Sequence, residues 1–312
     1  MVARRLLALI PVLLLVSFGT FALVLAVPGN AAQTIAGGEN ASAKDIARVT
    51  KRLHLDDPLL SQYGRWLGHA AQLDFGDSLV TGDSVAGQIA DKTPITISIV
   101  AMAMLVALLI GATSGVIAGS RAGTASDKAS VLVATLAVSI PSFVIAILLI
   151  RFFAIELRWV PAIGFTPFSE SIGDWFRSVI LPSLALGTIA AGALSRQLRS
   201  GLVESLSSDY VRTSWAIGGS ARVAVGKHAL RNAVVPSVAV LGIQVSGLLG
   251  SMVIIENIFS IRGIGTYLYE AVYLHDLPVI QGVVVWFVLV QLTINLLVDI
   301  ALALLNPRLR VT

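Results

Sequence analysis

The sequence predicts an all-α polytopic membrane protein with six transmembrane helices, and three observations carry that prediction. The 312-residue chain is 56% hydrophobic and 13% charged, whereas a soluble domain usually carries about 25% charged residues. The apolar residues are gathered into long runs, and about 20 in a row are what a helix needs to cross the hydrocarbon core. Basic residues flank these runs with a bias toward one side of the membrane.

The first span runs from Leu6 to Val27, after Arg4 and Arg5. A secretory signal has an apolar region of about 7–15 residues; this one has 22, so it reads as an uncleaved span. The second is Ile95–Gly119. The third is Val131–Phe153, with Arg151 near its end, where a long side chain can snorkel to the interface. The fourth, Val179–Leu194, is short and contains Pro182. The fifth is Val238–Ile255, and the sixth, Val279–Leu305, includes Gln291, Asn295 and Asp299. Three regions follow: residues 1–27, a long loop over 28–93, and a core over 94–312 that contains a second long loop, 196–236.

With both termini in the cytoplasm, the inside segments hold twelve basic residues against three acids, Asp127, Glu204 and Asp209. The short outside loops hold only Arg158, Arg177 and Arg262. The positive-inside rule is then satisfied. Because the basic residues flank apolar spans, nucleic acid is not an expected partner.

The outside loop Pro28–Thr93 has its own helical pattern. Ser42 is placed to cap a helix carrying Asp45, Ile46, Val49 and Leu53. Asp56–Pro58 reads as a turn. Leu60, Tyr63, Trp66, Leu67, Ala70 and Leu73 then recur at helical spacing. Both helices read as amphipathic, packed on the membrane surface or on the outer ends of the spans.

Several chemistries find no residues. The chain has no cysteine, which removes disulfides, thiolate catalysis and cysteine-held metals. His54, His69, His228 and His275 all fall in loops, so no histidine stands beside a serine within the spans. There is no HExxH and no phosphate loop, since Gly226-Lys227 is followed by His228. Gly111–Gly115, "GATSG", reads as small residues for tight helix packing. Acidic groups in the spans are limited to Asp299 and Glu256, both near span ends, so energy for transport is expected from a partner. The neutral residues Gln244, Asn257, Gln291 and Asn295 are candidates for a translocation path, with helix–helix hydrogen bonding as the alternative.

The inside loop is the most informative stretch. Leu198, Leu202, Leu206 and Tyr210 recur every four residues, giving one helix an apolar face. Ser207–Asp209 offers caps for a short helix, Tyr210–Ile217. Gly218-Gly219 ends it. Ser220 can cap a return helix, Ala221–Asn232, expected to end before Pro236. Positive charge alone would hold such a loop to anionic lipid. A capped helix with a glycine stop is a shape suited to a groove on another protein.

The stretch "DYVRTSWAIGGSARVAVGKHALRNAVVPSVAVLGIQ" resembles the cytoplasmic loop of dipeptide/oligopeptide ABC-importer permeases. "AVPGN", "LHLDDPLLSQYGRWLGHAAQLDFGDSL", "ILPSLAL", "IENIFSIRGIGTYLYEAV" and "NPRLR" resemble other segments of that family, in order along nearly the whole chain. The resemblance implies the type I importer (MetI-like) permease fold in a bacterial inner membrane. It implies that the loop's short helix couples to an ATPase through Asp209, Tyr210, Arg212, Thr213, Ser214, Trp215, Ala216, Gly218, Gly219 and Ser220. Arg212-Thr213-Ser214 stand at the family's Glu-Ala-Ala positions, while Trp215 and Ile217 depart from its pattern. The implied partners are a homologous second permease, two ATP-binding subunits holding ATP and magnesium, and an extracytoplasmic substrate-binding protein. The chain itself is then no enzyme and binds no cofactor. The implied cargo is peptide, with nickel, glutathione or haem as alternatives within the family; an ion-coupled secondary carrier is the alternative outside it.

Overall fold

The computed structural model describes residues 11–22, 42–52, 56–216, 218, 220 and 223–305. Expectations for Leu53, Gly219 and Asn306–Arg310, and for the ends of the first span, lie outside the described residues. The described helices are α1 (Pro11–Ala22), α2 (Ala43–Arg52), α3 (Leu59–Ala70), α4 (Val85–Ser120), α5 (Ala125–Ser139), α6 (Ser142–Glu156), α7 (Ile172–Ser207), α8 (Asp209–Ala216), α9 (Leu230–Ile258), α10 (Ile264–Tyr273) and α11 (Leu277–Leu305).

Among the described residues, α4, α7, α9 and α11 are each long and apolar enough to cross a membrane, and the bent pair α5–α6 makes a fifth crossing if counted as one. The expected third span is therefore not straight: its two halves meet at 100°. The cause is local. Pro141 pushes the residue before it out of the helical region, and Ile140 is extended, at φ −87° and ψ 124°.

Two other prolines do not act as breaks. The expected fourth span, short and containing Pro182, is part of a 36-residue helix that runs through that proline. The return helix does not end before Pro236; a π-helical turn, Ala224–Ala229, leads into α9, which contains that proline. Membrane helices tolerate proline because nearby groups take up the loosened backbone. Here the Ser237 hydroxyl donates to the Ala233 carbonyl at 2.8 Å.

The chain forms two compact units. One comprises Met1–Pro94 and Thr266–Leu292, the other Ile95–Gly265 and Thr293–Thr312. In the first, α3 lays Tyr63 and Trp66 against Phe18 and Phe21 of α1, with ring centroids 5.2–5.9 Å apart. The Tyr63 hydroxyl meets Ser17 Oγ at 2.8 Å. The segment before α4 is pinned to the turn before α11: Ser78 Oγ and the Leu79 N–H both donate to the buried Asp276 carboxylate, at 2.5 and 3.2 Å.

The second unit is organised on α7, which packs against α4, α5, α6 and α9. Small residues let the backbones approach. A Cβ on Gly111 would stand 2.7 Å from the Ala191 carbonyl oxygen, and one on Gly192 would stand 2.7 Å from that of Ala134. The "GATSG" stretch is thus packing surface. Its Ser114 donates to Ser195 Oγ of α7 at 2.9 Å.

Candidate functional site

The site is built on the end of α7. Leu194, Leu198 and Leu202 form a buried cluster with Ala229 and Ala233 of the returning chain, with Leu206, Val225 and Leu230 packed against it. The four-residue leucine spacing thus fixes the foot from which the short helix projects.

At the top of the foot, Ser208 is extended (φ −74°, ψ 152°) and ends α7. Its hydroxyl donates to the Ser205 carbonyl. α8 follows at once, with Asp209 in its first turn, where a negative charge faces the positive end of the helix dipole. Val211 of α8 is fully buried. Asn232 Nδ2 donates to the Tyr210 hydroxyl at 2.7 Å. That bond crosses from the return segment to α8. Asp209, Tyr210, Thr213 and Ala216 are exposed along the outward face, at the three- and four-residue steps of one helix side.

Gly218 stops the helix with φ at +87°, a left-handed conformation that only glycine adopts without strain. Ser220 caps the return, accepting the Val223 N–H at its carbonyl, 3.0 Å, and at its hydroxyl, 3.4 Å. The side chains of Arg212, Ser214 and Trp215, and the whole of Gly219, lie outside the described residues.

Of the neutral polar residues, Gln244 and Asn257 are not gathered in one place. Gln244 is half-buried and Asn257 exposed on α9. Thirteen residues of helix separate them, about 20 Å at 1.5 Å per residue. Asn257 Nδ2 donates to the Val253 carbonyl at 2.8 Å. Gln291, half-buried, and Asn295, exposed, lie one turn apart on α11. On α9, Ile243, Ser246, Gly247, Gly250, Ile254 and Asn257 are all exposed and follow one side of the helix.

Two ionisable groups matter more than sequence reasoning allowed. Glu256, placed at a span end by sequence, is fully buried. Thr96 Oγ1 donates to its Oε1 at 2.6 Å and accepts the Ile264 N–H at 2.9 Å. A Cβ on Gly263 would stand 2.1 Å from that oxygen, so the Gly263–Gly265 spacing was the available signal. Asp127, counted only as one inside acid, is 2% exposed and bonded to Arg199 of α7. No local signal links residues 72 positions apart.

Residues 107–311 match the family described as binding-protein-dependent transport system inner membrane component. Residues 1–100 match the N-terminal family of the same membrane components. A Brucella abortus protein named as a peptide transport system permease is 37% identical over 310 residues, covering 99% of this chain and 98% of that protein. The glutathione transport system permease protein of Escherichia coli is 38% identical over 309 residues, with the same coverage. Among solved structures, the methionine ABC transporter in inward-facing conformations gives a TM-score of 0.57 at 19% identity, over 70% of this chain and 96% of that chain. This last likeness is one of fold.

Proposed function

The chain belongs to the family of binding-protein-dependent transport system inner membrane components, and from that premise we propose that it is the permease through which an ABC importer moves peptides. It is a multi-pass transport subunit and not an enzyme. Membership implies an ATPase and a binding protein as partners, and sets aside the ion-coupled carrier.

In the proposed assembly this chain and a homologous permease enclose the path, two ATPases holding ATP and magnesium bind on the cytoplasmic side, and a binding protein delivers cargo from the other. Both termini face the cytoplasm, the side the basic residues favour. The observation that carries the coupling role is the shape of α8. It is a short helix with an exposed outward face, a buried Val211 and a left-handed glycine stop. Such a knob transmits force because its base is packed and its tip is free to enter a groove. Asp209, Tyr210, Arg212, Thr213, Ser214, Trp215 and Ala216 supply the docking surface, with Gly218, Gly219 and Ser220 turning the chain back.

The exposed side of α9 with Asn257 faces the path or the second permease; Gln244, Gln291 and Asn295 are the other polar candidates for the path. Peptide as cargo is supported by the Brucella abortus relative. A second reading, glutathione, is favoured by the Escherichia coli relative at similar identity; glutathione is itself a small peptide, so the two differ in length and linkage. The test is uptake by vesicles holding the permeases and ATPases, supplied with the binding protein and with labelled dipeptide, tripeptide or glutathione. Uptake should require hydrolysable ATP and survive an uncoupler. Uptake that persists without ATP and collapses with the uncoupler would overturn the reading.

A further inference from the structure

The end of α7 is held on two sides, and only one of them is the leucine foot. On the other, Arg199 places its planar fork on Asp127 of α5, Nε to Oδ1 at 2.5 Å and Nη2 to Oδ2 at 2.8 Å. A two-bonded guanidinium–carboxylate pair fixes direction as well as distance. Asp127 Oδ2 also accepts the Gly123 N–H at 2.8 Å. The same carboxylate therefore grips both α7 and the turn joining α4 to α5. The end of α4 closes on the same place: a Cβ on Gly119 would stand 2.7 Å from Leu202 Cβ and 3.2 Å from Arg199 Cα. The acid is 3% exposed at its side chain and the arginine 33%, so solvent screens the pair less than a surface pair.

Arg199 lies eight residues before the end of α7, about 12 Å along one unbroken helix, and α8 begins just past the extended Ser208. A push on α8 reaches Arg199 before it reaches the apolar middle of α7. It then divides. The foot, Leu198 and Leu202 on Ala229 and Ala233, carries it to α9. The ion pair is the polar tie that carries it to α4 and α5.

We propose that Asp127 and Arg199 are positioning residues that pass the displacement of α8 into the α4–α5 hairpin. This rests on α8 being the ATPase-coupling helix. Loss of the pair leaves ATPases docked and hydrolysing while less cargo moves for each ATP spent.

The experiment uses the complete complex in lipid vesicles with its binding protein, with hydrolysis and uptake measured on the same sample. Asp127→Asn and Arg199→Gln should lower cargo moved per ATP by about fivefold or more, the lower range of a coupling energy between sites. Arg199→Lys, which keeps the charge but not the fork, should fall between. The reversed pair, Asp127→Arg with Arg199→Asp, should recover part of the loss. An unchanged ratio in the single variants overturns the proposal. So does an equal fall in hydrolysis and uptake, which marks the pair as merely structural. If Arg199→Gln fails to assemble, Arg199→Lys decides by the same ratio. Ala216→Arg separates the two levels. If ATPases still co-purify with it and uptake is unchanged, the reading of α8 fails. If it releases the ATPases while the Arg199 variants keep a normal ratio, only this inference fails.

Discussion

Gly115 of α4 lies so close to Ser195 of α7 that a Cβ on it would stand 2.8 Å from the Ser195 carbonyl oxygen. Helices in lipid associate through such packing, because no hydrophobic force separates helix from tail. Gly115→Val should therefore force α4 and α7 apart and destabilise the protein by about 1–3 kcal/mol, the usual cost of overpacking. Gly247→Val is the matched control, since nothing stands within 4 Å of its Cβ position. Thermal unfolding in detergent checks this: the first variant melts lower and the second as the parent does. Equal melting would show that the glycines are not packing devices.

A second prediction concerns the knob. Gly218 has φ +87°, where a side chain costs about 1–2 kcal/mol and proline, fixed near −65°, does not fit. Gly218→Pro should reduce ATPase co-purification and uptake together while the permease still inserts in the membrane. Gly226→Ala has open space around its Cβ position and no positive φ, and should leave docking intact. Full co-purification with Gly218→Pro would remove the glycine stop from the coupling role.

These two sites mark what was legible beforehand. Leu198, Leu202 and Leu206 announced a buried face because helical spacing is local, whereas Tyr210, read on the same face, lies past the end of α7 and is exposed; Gly218 announced a stop because glycine is the residue suited to left-handed backbone. The prolines behave as two classes, and only a stop before Pro236 was expected. Pro141 bends its span by 100°, whereas Pro182 and Pro236 sit inside continuous helices. Which happens depends on whether neighbours satisfy the freed backbone, and that is tertiary information. Asp127 and Arg199, or Thr96 and Glu256, meet only after the chain has folded back across 72 or 160 residues.

The Thr96–Glu256 contact gives a third prediction. Thr96→Val removes the donor to a fully buried carboxylate and the acceptor of the Ile264 N–H. Leaving a buried group without its bond costs about 1–3 kcal/mol. Gly263→Ala places a methyl 2.1 Å from the Glu256 oxygen, so the loop must move. Combining Gly263→Ala with Glu256→Ala removes the nearest clash and leaves the one with Thr96 Oγ1, 2.6 Å from the new Cβ, so the double variant should melt higher than the sum of the single losses requires. Strict additivity in that cycle would mean that the glycine is not there for the carboxylate.

The last prediction is one of pH. The Tyr267 hydroxyl is buried and has no partner among the described residues. Burial first, then the charges of Asp276 and Asp83, pushes it up to about 12, against about 10 for an ordinary tyrosine. The sign follows from proton binding. Above about pH 10 the unfolded chain gives up this proton while the folded chain keeps it. Stability is therefore lost as pH rises from about 10 towards about 12. Tyr267→Phe removes both the unsatisfied hydroxyl and this source of alkaline loss. At neutral pH the variant should be at least as stable as the parent, since a buried hydroxyl without a bond is a cost. Its melting temperature should also fall less steeply over the alkaline window. Lys92, whose Nζ lies 5.3 Å from the ring centroid, keeps its aromatic face in the variant, so the difference between the two curves isolates the hydroxyl. Parallel curves over that window would show that Tyr267 ionises no later in the folded protein than in the unfolded chain.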